Sequence, residues 1–86
     1  MKQPSHTVTF LTRSGCGLCD RASAELARVC SDFDLEFETI DVDEVAPTRP
    51  ELRAEFGDRV PVVLLDGREH SYWEVDEERL RADLAR

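Results

Sequence analysis

The sequence predicts an α/β domain with the element order β-α-β-α-β-β-α, a four-stranded mixed sheet flanked by three helices. Three observations carry this. An alternating apolar segment, Thr7-Val8-Thr9-Phe10-Leu11-Thr12, passes through Ser14-Gly15-Cys16-Gly17-Leu18-Cys19 into a run of helical periodicity. A near-continuous apolar run, Val60-Pro61-Val62-Val63-Leu64-Leu65, carries a proline near its start, and Asp66-Gly67 follows it as a hairpin signal. With 86 residues, 41% of them hydrophobic, residues 1–86 read as one small domain, large enough for a modest core and too short for two.

Taken in order, residues 6–12 form a strand with Val8, Phe10 and, more weakly, Leu11 as its buried positions. The loop Arg13-Ser14-Gly15 turns the chain into a helix over residues 16–31, whose apolar stripe is Ala22, Leu26, Val29, Cys30 and Phe33. Asp20 and Glu25 toward its start and Arg28 late in it match the helix dipole. Leu35, Phe37, Ile40 and Val42, interleaved with acidic residues, give the next strand, parallel to the first through a right-handed crossover. After a loop with two prolines, Pro50 sits at the first position of a short helix ending at Phe56, with Leu52 and Phe56 inward and Gly57 as its stop. In the run 60–65 the proline cannot donate to a sheet ladder, so it belongs at the strand's beginning, its peptide bond cis or trans. Asp66-Gly67 then joins an antiparallel edge strand over residues 68–73, where Tyr72 and Trp73 either pack, as an aromatic pair on an edge strand usually does, or line a site near the dithiol. Asp76 is the N-cap of a last helix that reaches Ala85 and buries Leu80 and Leu84.

Bulk properties narrow the function. The formal charge is −8 with both signs mixed along the helices and no basic cluster, which argues against a nucleic-acid partner. Residues 1–6 are polar and the longest apolar run is far shorter than a membrane span, so a soluble, cytoplasmic, monomeric protein without a membrane partner is expected.

The chemistry lies in the Cys16-x-x-Cys19 pair at the hand-over from strand to helix. Unpaired N–H groups and the positive end of the helix dipole stabilise a thiolate there, so Cys16 is the expected attacking thiol. The three-residue spacing brings Cys19 round one turn, close enough to attack a disulfide formed at Cys16. Arg13, three residues earlier, is placed to lower the Cys16 pKa by charge attraction, the alternative being a solvated loop arginine. Two other uses of the pair stay open. A structural zinc site needs four ligands, and beyond the pair only Cys30, His6 and His70 remain, at spacings that match no zinc-finger pattern. A structural disulfide closing so small a loop constrains the unfolded chain little. Cys30, on the apolar stripe, is expected to be a buried hydrophobe that stays reduced.

The element order, with Thr12-Arg13-Ser14-Gly15-Cys16 and Val60-Pro61, resembles the short glutaredoxin form of the thioredoxin fold. Cys16-Gly17-Leu18-Cys19-Asp20 is similar to small bacterial glutaredoxin-like proteins that read Cys-x-Leu-Cys-Asp/Glu. The resemblance implies a redox-active dithiol with Cys16 as nucleophile and Cys19 as resolving thiol, and a cis proline at Pro61 facing the sulfurs. It implies substrate contacts from Arg13, Gly17, Leu18, Val60, Pro61 and Asp76. It implies no metal and no cofactor beyond the dithiol. The partners it implies are a disulfide-containing protein or small molecule as substrate, and a low-molecular-weight thiol or a reductase as electron donor. Gly17-Leu18 stands where glutaredoxins have Pro-Tyr, Arg59 where they have Thr, and Tyr72-Trp73-Glu74-Val75 where a Gly-Gly pair admits glutathione. Asp76 matches the acidic residue that follows that pair. Two other functions remain: an adaptor module with a vestigial pair, and an iron–sulfur or metal carrier using Cys16 with an outside ligand.

Overall fold

The computed structural model describes residues 6–86; the polar start of the chain, residues 1–5, lies outside the described residues. The elements are β1 (Val8–Thr12), α1 (Gly17–Asp32), β2 (Phe37–Asp41), α2 (Pro50–Phe56), β3 (Val62–Leu65), β4 (Arg68–Tyr72) and α3 (Glu77–Leu84). The sheet has the order β2-β1-β3-β4, with β1 parallel to β2, and β3 antiparallel to both β1 and β4. This is the thioredoxin-like arrangement of a four-stranded mixed sheet and three helices.

Alternation along the two central strands divides the core into two layers. Val8 and Phe10 of β1 and Val63 of β3 pack with Cys19, Ala22, Leu26, Val29 and Cys30 of α1 and Leu80 and Leu84 of α3. Leu11 and Val62 join Ile40, Val42, Leu52 and Phe56 in the second layer, under α2. Leu11 is fully buried, so the position weakest in the sequence pattern is as central as its neighbours. Both faces of β1 are covered, which explains why its sequence does not alternate cleanly with polar residues.

Turns fix where the elements stop. After α1 the N–H of Leu35 bonds the Cys30 carbonyl at 2.9 Å and that of Asp34 bonds the Ser31 carbonyl at 3.1 Å, with Asp34 at φ 60°. This is a Schellman ending in which aspartate occupies the left-handed position glycine usually takes. Asp66 and Gly67 both have positive φ, 54° and 85°, as a type I′ hairpin turn requires. The Asp66 carboxylate also accepts from the Thr7 N–H and pairs with His6, each at 2.8 Å, clamping the start of β1 to the turn.

Several boundaries differ from the sequence reading: α1 runs one residue later at both ends, β2 is confined to Phe37–Asp41, and α3 ends at Leu84 with Ala85 as its C-cap. The first strand begins at Val8, not at residue 6, and the third begins at Val62, after a cis Val60–Pro61 bond. The fourth ends at Tyr72, opposite Val62 where β3 begins, and its register against β3 shifts between Val63 and Leu64, leaving His70 with no cross-strand partner. Such a bulge bends the strand and redirects a side chain. Here His70 is only 8% exposed, its Nε2 lies 2.8 Å from Asp83 Oδ2 on α3, and its carbonyl accepts from the Arg79 guanidinium.

Candidate active site

Cys16 is the N-cap of α1, with extended backbone (φ −86°, ψ 103°) and no side-chain cap for the helix start. The turn that delivers it runs through Gly15 at φ 77°, a conformation glycine adopts without steric cost, and closes with the Cys16 N–H on the Arg13 carbonyl at 3.3 Å. Cys16 and Cys19 are joined as a disulfide with Cα atoms 5.4 Å apart. The two sulfurs differ in setting. Cys19 is buried among Ala22 and Leu26, whereas Cys16 is half-buried at the edge of that cluster. Cys16 is thus the more accessible of the two cysteines.

The helix start favours a thiolate at Cys16 through the dipole, while Asp20 in the first turn contributes the opposing charge. Arg13 is engaged elsewhere. Its guanidinium grips the Asp43 carboxylate through Nε at 3.0 Å and a terminal nitrogen at 2.9 Å, and donates to the Gly57 carbonyl at 2.9 Å. Arg53 adds a second, longer contact to Asp43 at 3.6 Å. The sequence reading offered Arg13 as a partner of the sulfur or a solvated loop residue. Its recorded partners make it a tie between the β1–α1 loop and the turns flanking α2.

Gly17 and Leu18 lie exposed between the cysteines, and a Cβ built on Gly17 meets nothing within 4 Å. Pro61 is fully buried at the start of β3, and Val60 beside it packs against both core layers. Asp76 caps α3 by accepting from the Arg79 N–H at 3.3 Å, and it also pairs with the Arg79 guanidinium. These bonds hold its carboxyl below the usual range, the Arg79 N–H being the main cause. Cys30 is unpaired and buried, and burial pushes its thiol above the ordinary range.

Of the two readings of Tyr72 and Trp73, packing does not hold, and Trp73 lines a groove on the dithiol helix. The two residues are 46% and 54% exposed, and their rings meet edge to face at 4.9 Å. Trp73 leaves the sheet at φ 68°, and its N–H donates to the Pro61 carbonyl at 2.7 Å and the Arg59 carbonyl at 3.2 Å. A groove of about 530 Å³ is lined by Leu18, Arg21, Ala22 and Glu25 of α1 and by Trp73 and Glu74. On the other side of Glu74 lies a wider cleft that includes Arg59, Tyr72, Asp76 and Arg79. The site residues thus do not form one cluster. Cys16, Gly17, Leu18 and Cys19 lie together at the start of α1, and Leu18 lines the groove with Trp73 and Glu74; Val60 and Pro61 belong to the core, Arg13 is held by Asp43 and Gly57, and Asp76 lies in the adjoining cleft. The sequence offered Trp73 as one lining residue but not Glu74, which follows the strand and carries no local signal of its own.

Among the described residues, no group of three or more His, Cys, Asp or Glu side chains is placed to hold a metal ion, and no helix is long and apolar enough to cross a membrane.

Residues 7–85 match the family model described as a glutaredoxin-like domain (DUF836). Uncharacterized proteins of Mycobacterium tuberculosis and Mycobacterium bovis are 64% identical over 80 residues, covering 92% of this chain and 82% of theirs. Among solved structures, an X-ray structure of a protein from X. campestris is 34% identical with a TM-score of 0.67, covering 92% of this chain and 96% of that one. A solution structure of a Nitrosomonas europaea protein, 24% identical over 95% of this chain and 94% of its own, gives a TM-score of 0.77. The oxidised thioredoxin of Plasmodium falciparum, 17% identical over 96% of this chain and 81% of its own, gives 0.62. These last two likenesses concern the fold. By the extent of the family match and the identity to its relatives, the chain belongs to the glutaredoxin-like domain family.

Proposed function

We propose that this protein is a thiol–disulfide oxidoreductase that works through the Cys16–Cys19 dithiol. The observation that carries this reading is the asymmetry of the pair: a half-buried cysteine at a helix start, bonded to a buried cysteine one turn along. In the reduced protein the Cys16 thiolate attacks one sulfur of a substrate disulfide. A mixed disulfide forms, and the other substrate sulfur leaves as a thiolate and takes a proton. The Cys19 thiolate then attacks Cys16, releasing the second substrate thiol and forming the Cys16–Cys19 disulfide. Two electrons pass from the dithiol to the substrate. Two molecules of a low-molecular-weight thiol, which leave as their disulfide, or one two-electron reductase restore the dithiol by the reverse exchange. No cofactor beyond the dithiol is required.

A cytoplasmic, monomeric protein acting on protein or small-molecule disulfides fits this chemistry, because a reducing compartment keeps such a pair cycling. The test is turnover of an artificial small disulfide by the purified protein, with each donor class supplied in turn. Steady turnover with at least one donor is expected. Stoichiometric reaction without turnover under every donor would favour a non-catalytic module.

A further inference from the structure

Glu74 differs electrostatically from the other ionised side chains lining the groove beside the dithiol and the adjoining cleft. In the cleft, Arg59 pairs with Glu69 at 2.9 Å, Arg79 with Asp76 at 3.2 Å, and Glu77 with Arg28 and Arg81. In the groove, Arg21 pairs with Glu25 at 3.9 Å. Glu74 lines both spaces, is exposed, and has no ion-pair partner among the described residues. Beside it stands Trp73, held out at positive φ by two backbone hydrogen bonds, a conformation that is an outlier for a bulky side chain. Leu18, Tyr72 and Trp73 are the exposed large hydrophobic residues among the described residues; two of them line the groove and the third touches Trp73. An indole next to an unpaired carboxylate is suited to a cation carried on an apolar stem.

Resting on the oxidoreductase reading, we propose that the groove formed by Leu18, Trp73 and Glu74 selects polypeptide disulfides carrying a lysine or arginine next to the half-cystine that Cys16 attacks. The stem of that side chain lies along Leu18 and Trp73, and its charge meets Glu74. The same groove disfavours a substrate that brings carboxylates to this position.

The test uses the reduced full chain and short peptides, each with one cysteine held as a mixed disulfide with 2-thiopyridine and flanked by Lys, Leu or Glu. Cys16 attacks the peptide sulfur, the S–S bond breaks, and the leaving group takes the electron pair and a proton as 2-thiopyridone, whose absorbance is followed. Cys19 then displaces the peptide thiol. The Lys peptide should react about tenfold faster than the Glu peptide, with Leu between them. Glu74→Gln should cut the Lys-to-Glu ratio at least threefold. Glu44→Gln, the same charge change at an exposed residue lining neither the groove nor the cleft, should leave the ratio within the error of wild type. Rates for the Lys and Glu peptides within twofold of each other would overturn the proposal. So would equal loss of preference in the two variants, which would assign it to the general acidic field. Failure to release thiopyridone from any peptide or from 2,2′-dithiodipyridine would contradict the oxidoreductase reading itself.

Discussion

The backbone N–H of Trp73 donates to the carbonyl oxygen of Pro61 at 2.7 Å, tying the residue that follows β4 to the residue that precedes β3. The tie holds Trp73 in a left-handed conformation and sets its ring across a groove from the dithiol helix. Anchoring to buried Pro61 makes this wall of the groove a continuation of the sheet.

That conformation can be tested by substitution. Glycine adopts φ 68° freely, so Trp73→Gly loses chiefly the edge contact with Tyr72, and stability should change by less than about 1 kcal/mol. Valine, β-branched and disfavoured at positive φ, should be about 1–2 kcal/mol less stable than the glycine variant. Urea unfolding of the two variants provides the comparison. Equal stabilities would mean that Trp73 is not held at positive φ.

Asp34 poses the same question at the end of α1. It is exposed, makes no ion pair among the described residues, and sits where a Schellman motif favours glycine. Asp34→Gly should therefore stabilise the protein by about 0.5–1 kcal/mol, a rise of a few degrees in Tm. A fall in Tm would show that the aspartate contributes something the backbone geometry does not account for.

Cys30 should behave as part of the core. Burial raises its thiol pKa, and it lies among the α1 and β1 side chains of the first core layer. In the reduced protein at mildly alkaline pH, alkylation should mark Cys16 first, while Cys30 reacts only when the protein unfolds. Cys30→Ser, which buries a hydroxyl, should cost about 1–3 kcal/mol. Peptide mapping by mass spectrometry distinguishes early labelling at Cys30 from this order.

Acid should loosen the clamp at the hairpin turn. The hydrogen bond from His6, followed by that from the Thr7 N–H, holds the Asp66 carboxyl below its ordinary value. A depressed folded-state pKa gives stability that is present above the unfolded carboxylate value near ~3.9 and is lost as pH falls through the folded value. Asp66→Asn should thus be less stable than wild type at about pH 6, and the two should converge at about pH 2. The urea midpoints at the two pH values measure this, and a gap that persists in acid would contradict it.

Much of the fold was legible because local signals agreed. The Cys-x-x-Cys pair at the end of an alternating strand, Pro50 and Gly57 around the short helix, Asp66-Gly67, and Asp76 before α3 each correspond to a boundary in the structure. What escaped depends on residues distant in sequence. Nothing in the Arg13 loop signals that its guanidinium would be taken by Asp43 and Gly57. The bulge at His70 arises from the register of β4 on β3, and Trp73 is held out by bonds to Pro61 and Arg59; neither can be read from the strand's own residues alone.

The division of labour within the Cys16–Cys19 dithiol is the central claim, and trapping the intermediate tests it most directly. Wild type, Cys16→Ser and Cys19→Ser are each mixed in reduced form with a disulfide-bonded protein and quenched with acid, and covalent adducts are counted by non-reducing electrophoresis and mass spectrometry. Cys19→Ser should accumulate a mixed disulfide on Cys16, because attack proceeds and its resolution is lost. Cys16→Ser should form no adduct and reduce no substrate, while wild type turns its substrate over with little adduct. An adduct on Cys19 in the Cys16→Ser protein, or full activity of that variant, would contradict the account.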